Sequence, residues 1–173
     1  MQVKIAITGP ESSGKTTLAK SLNNYYKNSI MVHEFAREYL KSIKRQYNYD
    51  DLLNIAKGQK KKEEKANRTN KKIIISDTNL QVIKIWSLDK FKKCDNWILR
   101  TEEKYTHYLL CKPGIKWEAD HLRENPLDRD RLFKLYLKDL QGKPFTIISG
   151  NKQSRLSIGK KIINSYLSIE KNK

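Results

Sequence analysis

Three observations predict an α/β protein: a five-stranded, mostly parallel sheet with helices on both faces. Five short apolar runs recur along the 173 residues. They are continuous rather than alternating, as strands buried on both faces are. Segments of helical spacing separate them, and strands alternating with helices imply right-handed crossovers.

The expected strands are Val3 to Thr8, Ser29 to His33, Lys72 to Ser76, His107 to Cys111 and Phe145 to Ser149. The expected helices are Lys15 to Tyr26, Ala36 to Lys44, Asp50 to Thr69, Asn79 to Phe91, Arg129 to Leu140 and Asn151 to Ile169. Leu80, Ile83 and Trp86 share one side of the fourth helix, and Leu132, Leu135 and Tyr136 recur at helical spacing in the fifth. No repeat or low-complexity linker divides the chain, so residues 1–173 are read as one domain.

Between the first strand and first helix lies Gly9-Pro10-Glu11-Ser12-Ser13-Gly14-Lys15-Thr16. It fits G-x-x-x-x-G-K-[ST], in the strand–loop–helix setting that gives the pattern its mechanism. Backbone N–H groups of the loop and of the helix N-terminus, through Thr17, point at an anion. Lys15 would add a point charge near the β- and γ-phosphates, and the Thr16 hydroxyl can ligate Mg²⁺. A P-loop NTPase fold binding a nucleoside triphosphate, ATP with Mg²⁺, is the expectation.

In parallel sheets ligands sit beyond the carboxyl ends of the strands, which singles out the residues after each strand. Glu34-Phe-Ala-Arg37-Glu-Tyr39 follows the second. Glu34 and Arg37 are spaced for one helix face, as a surface ion pair or as an acceptor-binding pair with Glu34 gripping or deprotonating a hydroxyl. Ile73 to Asp77 ends the third strand in an acid, the Walker B pattern. Asp77 is the expected second metal ligand beside Thr16, although Asp77 and Thr78 also suit a helix cap. After the fourth strand, residues 112–128 read as a polar, arginine-bearing lid. Arg123 foremost, with Arg129 and Arg131, could reach a transferring phosphoryl group. Trp117 is either core or a cover for an aromatic base.

Composition excludes other classes. The charge of +17 would draw phosphorylated ligands. Lysine is scattered and rich in company with Asn and Ile, so a solvated surface is favoured over a nucleic-acid interface. Cys94 and Cys111 have neither metal spacing nor a disulfide framework, and nothing resembles a signal peptide or a spanning segment; a cytoplasmic protein is expected. His33, His107 and His121 make no metal spacing; His33 and His107 read as core or edge residues. The run from Lys60 to Lys65 reads as an exposed helix face.

Several segments together resemble a family. Gly9 to Thr16, Glu34-Phe-Ala-Arg-Glu-Tyr39, Ile55-Ala-Lys-Gly-Gln59, Ser76-Asp-Thr-Asn79, Trp117-Glu-Ala-Asp120-His-Leu-Arg123 and Asp128-Arg129 are similar, in order, to the ribosylnicotinamide kinase domain of NadR. The resemblance covers nearly the whole chain. It implies a P-loop kinase fold, ATP and Mg²⁺, and phosphoryl transfer to the 5′-hydroxyl of nicotinamide riboside. Catalytic roles then fall to Lys15, Glu34, Asp77 and Arg123. Acceptor contacts fall to Glu34, Arg37, Tyr39, Asp77, Thr78, Trp117 and Asp120, and nucleotide contacts to residues 9–17 with Arg129. Either Glu34 or Asp77 is the base. The H-x-G-H signature of the second NadR domain has no counterpart here. His33 stands where that family carries Trp, so Phe35, Tyr39, Trp86 and Trp117 are candidates to stack on an acceptor ring. An NTP-driven switch, a kinase of another nucleoside and a nucleic-acid-associated NTPase are the competing readings.

Overall fold

A computed structural model describes residues 2–101, 104–115 and 127–171. In chain order the elements are β1 (Val3–Thr8), α1 (Lys15–Tyr25), β2 (Ser29–Val32), α2 (Phe35–Ser42), α3 (Tyr49–Asn67), β3 (Ile73–Asp77), α4 (Leu80–Phe91), α5 (Asn96–Arg100), β4 (His107–Cys111), α6 (Arg129–Asp139), β5 (Phe145–Ile148) and α7 (Lys152–Lys171).

The sheet order is β2-β3-β1-β4-β5. Every pairing is parallel, so the sheet is wholly rather than mostly parallel. β1 sits at the centre, with Val3 opposite Ile73 and Ile5 opposite His107. Its β-branched residues suit a strand buried on both sides. Val3, Ile5 and Ile7 pack on one face with Leu18, Ala19 and Leu22 of α1 and Ile163 of α7. Ala6 faces the other way, joining Tyr108, Leu132, Phe133 and Tyr136. Each fully buried Ile or Leu in these layers contributes about 1.5–3 kcal/mol. A third cluster, with Leu52 and Ile55 of α3 against Leu80 and Ile83 of α4, stands under the β2–β3 side.

Several boundaries differ from expectation for physical reasons. β2 ends at Val32, and His33 lies exposed beyond this edge strand. β3 begins one residue later and includes Asp77, held in register by its pairing with Ile7. α3 starts at Tyr49 because Asn48 and Asp51 form a capping box. α5 is absent from the sequence reading; five residues carry too little periodicity, and Asp95 starts it by accepting from Trp97 N at 2.7 Å. The Lys60 to Lys65 run is not wholly exposed: Glu63 is buried and accepts from Tyr105 Oη at 2.7 Å. His107 is buried between Tyr166 Oη (3.0 Å) and Thr146 Oγ1 (2.9 Å). Among the described residues no helix is long and apolar enough to cross a membrane.

Candidate active site

The loop after β1 is shaped by three left-handed residues, Gly9 (φ 130°), Ser12 (φ 49°) and Gly14 (φ 84°). At Gly9 a Cβ would fall 2.6 Å from the Cys111 carbonyl oxygen, so the loop passes directly over the end of β4. Ser13 Oγ donates to Pro10 O at 2.7 Å. Lys15 Nζ donates to Gly9 O (2.8 Å) and Pro10 O (2.7 Å), which holds its charge over the loop. α1 begins at Lys15 with no side-chain cap and no acid in its first turn. Its N-terminal N–H groups and dipole therefore favour an anion.

Two arginines brace this loop from outside. Arg129 Nη1 donates to Ser12 O at 3.2 Å and Ile115 O at 3.0 Å. Arg155, which the sequence reading passed over, donates from Nη1 to Ser13 O at 2.7 Å. Its only sequence-level signal is that it is an arginine at the start of a lysine-rich last helix.

Asp77 closes β3 beside the loop and is 2 % exposed. Burial raises its carboxyl above the ordinary aspartate value; a hydrogen bond from Thr16 opposes this, Glu34 adds to it, and Lys15 and His33 oppose it. Its Oδ1 has no hydrogen-bond partner among the described residues, nor do the buried Ser76 Oγ and Thr78 Oγ1. Thr78 adopts φ 78°. Its N–H bonds Ile7 O at 3.1 Å and its carbonyl accepts from Gln59 Nε2 at 3.2 Å. The Gln59 Oε1 also accepts from Phe35 N at 2.8 Å, so one buried amide ties α3 to the ends of β2 and β3. Nothing local in the sequence marks Gln59 for this tie, since its span between two loops depends on the tertiary fold. Thr8 and Gln81 make a comparable tie, 2.9 Å apart, with Gln81 continuing to Asp139 at 3.0 Å.

These residues fit Mg²⁺. An orphaned carboxylate oxygen beside a threonine hydroxyl is a hard-oxygen donor pair, and no cluster of three His, Cys, Asp or Glu exists among the described residues to cage a metal. Mg²⁺ typically takes one or two protein oxygens, with substrate phosphates and water supplying the rest.

A cavity of about 450 Å³ runs from the loop, residues 9–17, to α4 and α6. Glu34 and Arg37 line it, with Arg37 Nε 3.3 Å from Glu34 Oε2. Trp86, Asp89 and Lys90 form the α4 wall and Arg131 the α6 wall. Trp86 is locked in place: its Nε1 donates to Tyr47 Oη at 2.9 Å, and the two rings meet edge to face at 4.9 Å. Asp77 and Thr78 are not among the lining residues.

Three expectations are corrected. Tyr39 does not line the cavity; its Oη donates to Asp51 Oδ1 at 2.7 Å, in the joint between α2 and α3. Phe35 turns the same way, with its ring so close over Gly58 that a Cβ there would fall 2.0 Å from it. Arg131 is not a free finger: it forks onto Asp89 (2.6 and 3.0 Å) and also bonds Asp128 at 2.9 Å. Trp117, Asp120, His121 and Arg123, with the rest of 116–126 in the expected lid, lie outside the described residues.

The fold has solved relatives. NadR in complex with NR superposes with a TM-score of 0.74 at 20 % identity, covering 87 % of this chain and 46 % of that one. This chain thus spans less than half the length of that relative. Deoxyadenosine kinase from M. mycoides, with dCMP bound, gives 0.69 at 14 % identity, over 94 % of this chain and 100 % of that one. Thymidylate kinase from Ehrlichia chaffeensis gives 0.62 at 17 % identity, over 93 % and 98 %. No curated protein matches the sequence. A family described as AAA domain matches residues 4–155. With the phosphate loop at the end of β1 and the acid at the end of β3, the chain belongs to this AAA domain family of P-loop proteins.

Proposed function

We propose that the protein is an ATP-dependent small-molecule kinase whose acceptor is a riboside, nicotinamide riboside first among them. The observation that carries this reading is the continuous cavity. It joins a phosphate loop at one end to a carboxylate, Glu34, and a fixed indole, Trp86, at the other. A γ-phosphoryl group over Lys15 would face a hydroxyl near Glu34, with an aromatic ring against Trp86. NadR, whose complex with NR has this fold, and the motif resemblance both support the acceptor class.

In this mechanism the acceptor oxygen attacks the γ-phosphorus as the bond to the β-phosphate oxygen breaks, leaving ADP. In this reading Glu34, which lines the cavity as Asp77 does not, is the acceptor of the hydroxyl proton, and Asp77 with Thr16 would hold the metal. Mg²⁺, when bound, supplies charge neutralisation on the phosphates. Lys15 and the α1 N-terminus hold the transferring group, and positioning with electrostatics supplies most of the rate. Arg37 orients Glu34 by their ion pair.

The test is to incubate the protein with ATP-Mg²⁺ and a panel of ribosides and to weigh the products. A product heavier by one phosphoryl group from nicotinamide riboside is expected. A product from another riboside only would overturn the specific acceptor. ATP hydrolysis with no phosphorylated riboside would overturn the kinase reading in favour of a nucleotide-driven switch.

A further inference from the structure

Arg155 stands in the first turn of α7, 142 residues from its partner in the phosphate loop. It is 5 % exposed. Each guanidinium nitrogen serves a different loop at the carboxyl edge of the sheet. Nη1 donates to Ser13 O after β1 (2.7 Å), Nη2 to Lys112 O after β4 (2.9 Å), and Nε to Gly150 O after β5 (2.8 Å). No carboxylate pairs with it among the described residues. Carbonyl dipoles solvate this buried cation but leave its net charge in place behind the loop.

The contacts continue toward the phosphate site. Ser13, whose carbonyl Arg155 holds, donates its hydroxyl to Pro10 O, and Lys15 Nζ donates to that same oxygen. At Gly14 a Cβ would sit 3.6 Å from Arg155 Nη1, so the guanidinium lies directly under the turn into α1. We propose that Arg155 is a positioning residue for the donor nucleotide: it clamps the phosphate loop to the residue after β4 and to the β5–α7 turn, and its charge, unpaired with any carboxylate among the described residues, draws polyphosphate to the loop. The bound phosphates then supply the counter-charge that the described residues do not. This inference rests on polyphosphate binding at the loop and is independent of which acceptor the cavity takes.

A lysine has one point of attachment and cannot span three carbonyls, although it keeps the charge. The test measures ATP-Mg²⁺ binding by calorimetry without any acceptor, and thermal midpoints with and without ATP, for wild type, Arg155→Lys and Arg155→Ala. ATP affinity is expected to fall about tenfold in Arg155→Lys and further in Arg155→Ala, as for loss of a forked arginine contact. The ATP-induced rise in midpoint should shrink in step. Guanidinium ion at low millimolar concentration should restore part of the affinity of Arg155→Ala but none of that of a Lys15→Ala chain. A lower midpoint of the free chain with ATP affinity within twofold of wild type would overturn the inference and leave Arg155 a packing residue. If Arg155→Ala does not fold, Arg155→Lys decides alone. Failure of the wild-type chain to bind ATP would overturn the loop reading itself, whereas failure to phosphorylate ribosides would leave this result standing.

Discussion

The two ends of the cavity are built by different means. At the phosphate-loop end the contacts run to the main chain: Lys15, Arg129 and Arg155 all donate to carbonyls of the loop. At the opposite end, the proposed acceptor side, they run between side chains: Arg37 to Glu34, Trp86 to Tyr47, Arg131 to Asp89. A site made of backbone is set by loop conformation, hence by glycines and a few cations. A site made of side chains is set by whichever residues α2, α4 and α6 present. Under the proposed kinase reading, acceptor choice changes by substitution on those helices while the phosphate-loop end stays as it is.

The sharpest way to break this comparison is at Lys15. Lys15→Ala should lower turnover by about 10³-fold or more, since a charge aimed at the transferring group is lost. Circular dichroism should show the chain still folded; wild-type turnover in this variant would sink the donor assignment.

Next come the two acids. Glu34→Gln should cut turnover by about 10²–10⁴-fold, the usual worth of a general base, with ATP affinity kept. Asp77→Asn should cut turnover and also weaken the dependence on Mg²⁺ concentration. It should raise the thermal midpoint of the free chain, because a buried acid with an unpartnered oxygen is replaced by a neutral amide. A lower midpoint in Asp77→Asn would show that the carboxylate is structural.

The acceptor end gives a smaller effect. Trp86→Ala should raise the KM for the acceptor by about tenfold, from the loss of roughly 1–3 kcal/mol of ring stacking, and leave the KM for ATP unchanged. Trp86→Phe should recover most of it. Equal changes in both KM values would show that the two ends are not separable.

Smallest in activity is the α2–α3 joint. Asp51 lies well below the ordinary carboxylate range, first because Arg45 bonds it, with Asn48 N–H and Tyr39 adding to the shift against the cost of burial. A depressed acid stabilises the fold above its unfolded value and loses that contribution as pH falls. Asp51→Asn should therefore cost about 2 kcal/mol at neutral pH, and the gap from wild type should close on acidification below about pH 4. Tyr39→Phe should cost about 1 kcal/mol with both KM values unchanged; a raised acceptor KM would return Tyr39 to the site.

The legible parts of the molecule were the local ones. β1, the glycine loop and the start of α1 are encoded by neighbours in sequence, and the β-branched run ending at Asp77 marks its strand end the same way. β4 has its expected bounds because the apolar run from Tyr108 to Cys111, led by His107, stands between the polar Thr106 and Lys112. Tyr39 misled because closeness to Glu34 in sequence suggested closeness in the site; five residues along α2, its hydroxyl belongs to α3. Arg155, Gln59 and the Asp89–Arg131 fork are contacts between distant segments. Nothing in a single sequence marks such partners before the sheet order is known.

That sheet order bears on how the protein is made. β1 and its loop are made before β3 and β4, yet β1 lies in the middle of the sheet and these neighbours begin at residues 73 and 107. Parallel pairing over such separations is slow, and the exposed strand must wait for its partners. The Ser13 carbonyl acquires its guanidinium only when residue 155 is available. The phosphate loop is thus translated well before the segment that braces it, and it gains its full set of contacts only after residue 155 has been made.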